Sequence, residues 1–110
     1  MLIPSRDIGG SDPERMAAPR VEEYVKNLFE NVPEVKMEVV QGQSTFVKEY
    51  PCLAAVNRAA SSVPRHDGRV LWLTYEPAGP VEKTLMLVGK GITYDTGGAD
   101  IKAGGTACYS

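Results

Sequence analysis

The chain predicts an α/β fold, a helix-flanked mixed sheet, and three observations carry that expectation. Apolar residues recur at helical spacing between residues 21 and 29. Two stretches, near 35–40 and 70–75, are rich in β-branched and apolar side chains, and an unbroken apolar run, Leu85-Met86-Leu87-Val88, ends at a glycine-rich loop. Helical and strand periods alternating along one short chain indicate a sheet covered by helices.

Residues 1–10 hold Pro4, Gly9 and Gly10 around Arg6-Asp7-Ile8 and read as a connection entering the domain. Ser11 with Glu14 three residues on fits a capping box, and Pro13 suits a first helical turn. Pro19 interrupts, so the chain should either turn briefly and restart or begin a helix with Pro19 near its N-terminus. Val21, Tyr24, Val25, Leu28 and Phe29 then form one apolar stripe directed at a core, ended by Asn31 and Pro33.

Val35 to Val40 begins with apolar and charged residues in alternation, the period of a half-exposed strand. Gly42 turns the chain, and Ser44 to Tyr50 is expected to make one or two helical turns before Pro51 stops it. Residues 52–62 are rich in small side chains, which let backbones approach closely, and Cys52 is expected to be packed. His66, beside Asp67-Gly68, reads as a solvated loop histidine. Val70 to Tyr75 is a strand by composition. After the loop Glu76-Pro77-Ala78-Gly79-Pro80, Val81 to Val88 should return as another strand, the short connection favouring an antiparallel pair.

With 110 residues the chain is one domain at most, and 43% hydrophobic content is ordinary for a folded protein. A net charge of −2 with both signs spread along the chain gives no basic footprint, so neither nucleic acid nor a membrane surface is an expected partner. Met1-Leu2-Ile3-Pro4 is too short an apolar start for a secretory leader, and a cytoplasmic location is the expectation. Cys52 and Cys108 make no C-x-x-C pair and read as free thiols.

Chemistry is concentrated after the apolar run. Lys90 stands where apolar strand meets glycine loop, and a desolvated ammonium there must find a partner or lose its proton. Asp95 and Lys102 follow, and Gly89, Gly91, Gly97 and Gly98 allow the tight folding that would gather all three around an anion or a metal. Taken singly, Lys90 could reach water from a strand end, Asp95 could belong to a turn and Lys102 could be a solvated charge. The spacing fits neither G-x-x-x-x-G-K-[ST] nor G-x-G-x-x-G, which ranks a phosphate-cradling loop low.

Gly89-Lys90-Gly91-Ile92-Thr93-Tyr94-Asp95-Thr96-Gly97-Gly98, with Ile101-Lys102 in step, resembles the hallmark of the leucyl aminopeptidase (cytosol aminopeptidase) family. Leu53 to Ala60 resembles the family segment L-x-A-V-x-[RK]-[GA]-[SA], and Val63-Pro64-Arg65 the proline-bearing loop after it, so the likeness extends from Asp12 onward. The resemblance implies a peptidase that releases N-terminal residues from peptides with two divalent metal ions, zinc or manganese. It implies Lys90 and Asp95 as metal ligands, Lys90 through its neutral amine and Asp95 as a bridge. It implies Lys102 as the catalytic group that polarises the substrate carbonyl and meets the developing oxyanion. Homo-oligomers, commonly hexamers, are implied as well.

On this basis residues 1–10 are a linker and residues 11–110 the opening portion of the catalytic domain, cut after the first metal-ligand loop. The family completes its metal cage with carboxylates and an arginine placed C-terminal to the second lysine, and Ala103 to Ser110 contains neither. The alternative is therefore a non-catalytic relative or fragment with a binding or structural role.

Overall fold

Proline placement sets the helix boundaries in this protein. The computed structural model describes residues 2–10, 12–89 and 91–92. Pro4 falls in the first turn of α1 (Leu2–Gly10), where its missing N–H has no intrahelical partner to lose, and two glycines finish the helix. The stretch expected as a connection is thus helical.

The Asp12 carboxylate accepts from the backbone N–H groups of Glu14 at 2.8 Å and Arg15 at 3.1 Å, closing a turn over residues 13–16. The chain restarts as α2 (Ala18–Phe29), with Pro19 in its first turn. Both halves of the expectation for Pro19 are met, while Ser11, expected to cap, lies outside the described residues and the N-cap of α2, Ala17, supplies no side-chain cap. The α2 stripe turns inward at Val25, while Leu28 is 45% exposed.

β1 (Val35–Gln41) pairs antiparallel with β2 (Arg69–Tyr75), Val35 opposite Tyr75 and Gln41 opposite Arg69. Met37 and Leu73, then Val39 and Leu71, sit side by side along the pair, the contacts that stabilise such a ladder. The Glu76 N–H donates to the Glu34 carbonyl at 3.0 Å and extends it by one bond. The α/β class holds, and the sheet among the described residues has two strands.

The hairpin expected between residues 70–75 and 81–88 does not form. β2 takes β1 as its partner, and the described residues after Tyr75 carry no strand. Pro77 and Pro80 account for this locally, since both remove a backbone donor and fix φ where a tight two-strand turn needs freedom.

Gly42 leaves β1 at φ +95°, a conformation side-chain-bearing residues rarely adopt, and its carbonyl accepts from Thr45 and Phe46 to start α3 (Gln43–Glu49). Pro51 ends α3 by keeping Tyr50 out of the helical conformation, at φ −135° and ψ 62°, and also opens α4 (Pro51–Ala60). Cys52, in the first turn of α4, is exposed rather than packed.

Phe46 is fully buried and meets Tyr50 edge to face at 6.2 Å between ring centroids. Met16, Ala17, Val25 and Ala54 are the other buried apolar residues among those described. Asn57 is buried with them, and both ends of its amide are used. Its Nδ2 donates to Gln43 Oε1 at 2.9 Å and Asp67 Oδ1 at 3.1 Å, while its Oδ1 accepts from the Gly68 N–H at 2.8 Å. Gln43 in turn donates to the Ala54 carbonyl.

A Cβ at Gly68 would lie 2.5 Å from Asn57 Oδ1, closer than atoms of this kind approach. Gly68→Ala should therefore destabilise by about 1–3 kcal/mol. Asn57→Ala should cost a similar amount, about 1–3 kcal/mol, by leaving its half-buried partners Gln43, Asp67 and the Gly68 N–H without it. The double variant should cost less than the two together, because deleting the amide also deletes the obstacle to the methyl. Urea unfolding of the four proteins measures this, and strict additivity would show that the clash is relieved elsewhere.

Candidate functional site

Lys90, Asp95 and Lys102, the residues expected to carry metal binding and catalysis, lie outside the described residues, as does Cys108. The chain leading toward them is described. Leu85, Met86, Leu87 and Val88 are 81%, 72%, 85% and 94% exposed, so the run is open on both faces. Its sequence is that of a strand buried on both sides, yet no described element covers it.

Two polar clusters are built elsewhere. The first joins α2 to the start of β2. Arg69 Nε donates to Glu22 Oε2 at 2.8 Å, and Lys26 Nζ donates to the other Glu22 oxygen. Arg69 Nη1 donates to Asp67 Oδ2 and to the carbonyls of Asp67 and Gly68. The Glu22 and Arg69 side chains are largely buried. The Lys26 ammonium, and after it the Arg69 guanidinium, hold the Glu22 carboxyl below its usual range, against the opposing effect of burial. Through Asp67 this cluster is continuous with Asn57 and Gln43.

The second cluster lies at the surface. Glu14 accepts from Arg65 Nε at 3.0 Å and Nη2 at 3.3 Å, and its Oε1 stands 2.7 Å from His66 Nε2. Arg65 chiefly, then His66, lowers the Glu14 carboxyl. His66, expected to be solvated, is instead half-buried in the short 3₁₀ turn Pro64–His66 and paired with the turn before α2.

Both clusters fasten one element to another through cation–carboxylate pairs: Glu22 with Arg69 and Lys26, Asp67 with Arg69, and Glu14 with Arg65. An open groove of about 380 Å³ runs beside α2, and its charged residues are engaged within the chain. There Arg20 pairs with Glu23 at 2.8 Å and Arg15 with Asp7 at 2.9 Å. Among the described residues no group of three or more His, Cys, Asp or Glu could hold a metal ion. No helix among them is long and apolar enough to cross a membrane.

The Glu22–Arg69–Asp67–Asn57 chain went unread in the sequence. Its one visible signal is Asp67-Gly68-Arg69 immediately before a strand, a turn that carries both charges of an internal pair.

Residues 4–108 match the model of the cytosol aminopeptidase family, catalytic domain. The Caenorhabditis elegans protein W07G4.4, named as an aminopeptidase, is 49% identical over 100 residues, covering 91% of this chain and 19% of the relative. A Helicobacter hepaticus protein named as a cytosol aminopeptidase is 31% identical over 97 residues, 88% of this chain and 19% of its own length. A Mycoplasma pneumoniae protein of the same name is 37% identical over 86 residues, 76% of this chain and 18% of the relative. The chain thus spans about a fifth of the length of these relatives. No solved structure matches it.

The buried cluster makes stability depend on acid. Glu22 titrates lower in the folded chain than its usual value of 4.5, so its contribution is present above that value and is lost as pH falls through the folded one. Glu22→Gln should destabilise by about 1–3 kcal/mol near neutral pH. The gap from the parent should close as the pH is lowered below 4.5. Denaturant unfolding across that range checks the sign, and a gap that widens in acid would contradict it.

Proposed function

The chain belongs to the cytosol aminopeptidase family, and from that premise we propose that it carries the opening portion of a metal-dependent aminopeptidase catalytic domain. The observation that carries this reading is the run Gly89 to Gly98 with Lys102, which lies inside the matched span of residues 4–108.

In this reading Lys90 and Asp95 are metal ligands. An amine and a carboxylate form a mixed nitrogen and oxygen donor set, which fits zinc or manganese. When bound, two such divalent ions supply Lewis acidity toward a peptide carbonyl and toward water. Lys90 contributes a lone pair and so must be neutral. Asp95 contributes a carboxylate that is able to serve two ions at once. Lys102 must keep its proton, because its role is to face the negative charge that develops on the carbonyl oxygen.

Two lysines twelve positions apart are thus asked for opposite protonation states. Their neighbours in sequence differ: Leu85 to Val88 and then Gly89 precede Lys90, whereas Gly97, Gly98, Ala99, Asp100 and Ile101 precede Lys102, and the Asp100 carboxylate favours a retained proton there. The substrates are peptides with a free N-terminus, the location is the cytoplasm, and the assembly is a homo-oligomer, of six subunits by the family resemblance. Lys90 and Asp95 are two protein donors where a two-metal site uses about five or six.

The 110-residue chain on its own should therefore show no metal-dependent release of leucine from leucine p-nitroanilide. Turnover that a chelator abolishes and zinc or manganese restores would overturn the two-donor argument.

The decisive experiment replaces the matched segment of W07G4.4 with this chain and assays the chimera beside the unaltered relative. The folded chimera should hydrolyse the substrate with zinc or manganese and lose activity to a chelator. Lys102→Ala should lower kcat by about 10²–10³-fold, as loss of one oxyanion donor does. Lys90→Met and Asp95→Asn should lower bound metal measured directly. An active relative beside a folded, inactive chimera would sink the proposal.

A further inference from the structure

We draw no further inference here: the strongest candidate, the apolar run Leu85–Val88 beyond β2 that is open to solvent on both faces, carries nothing because nothing in the structure shows what covers it.

Discussion

The buried amide of Asn57 is the constraint on which the arrangement of the other elements depends. Among the described residues, Phe46 and four smaller buried apolar residues are too little to fix the relative position of helices and strands by packing alone, because apolar contact is non-directional. Hydrogen bonds are directional, and Asn57 makes them to three places at once: Gln43 at the start of α3, Asp67 in the turn, and the Gly68 backbone at the entry to β2. A buried amide tolerates few alternatives, since each unmade bond costs more than a made one contributes. The residue at 68 must then be glycine, for reasons of space rather than of backbone angle. Asp67 passes the constraint to Arg69, and Arg69 passes it to Glu22 on α2. One polar chain thereby reaches from α3 through α4 and β2 to α2.

Where local chemistry decides structure, the sequence was legible. Alternation identified β1, β-branched and aromatic content identified β2, and the helical stripe identified α2, whose start Pro19 placed correctly. Where distant partners decide, it was not. β2 pairs with a strand 28 residues or more upstream rather than with the stretch a few residues downstream; Pro77 and Pro80 disfavour the downstream turn, but no local pattern names the upstream partner. Pro51 was read as a stop and is also a start, because the same missing N–H suits both a helix end and a first turn. Asn57 sits in a row of small residues that read only as close-packing material, and nothing local distinguishes a buried asparagine from an exposed one. The three candidate site residues were found by motif, and their geometry falls outside the described residues.

The exposed run before the motif connects fold and chemistry. Four consecutive apolar residues cannot serve a one-faced strand, since alternate side chains would face water. Their sequence requires cover on both sides, as in the interior strands of sheets flanked by helices. The two-stranded sheet described here does not supply it. Burying four such side chains would stabilise by about 1.5–3 kcal/mol each, a large quantity beside the few kcal/mol that separate folded from unfolded domains.

The proposed role of Lys90 makes the same demand from the side of chemistry. An amine two residues beyond Val88 gives up its proton to a metal more readily when apolar neighbours exclude water, because desolvation penalises the charged form. With Val88 at 94% exposure that condition is unmet by the residues described. Cover over Leu85 to Val88 and a neutral Lys90 are consequently one requirement rather than two. Lys102 differs, since its proposed role needs the proton retained, and Asp100 two positions before it in sequence is an opposite charge that favours the charged form. A site built on opposed lysines thus depends on dryness at one of them alone, and the apolar run is the feature of this sequence able to provide that asymmetry once it is enclosed.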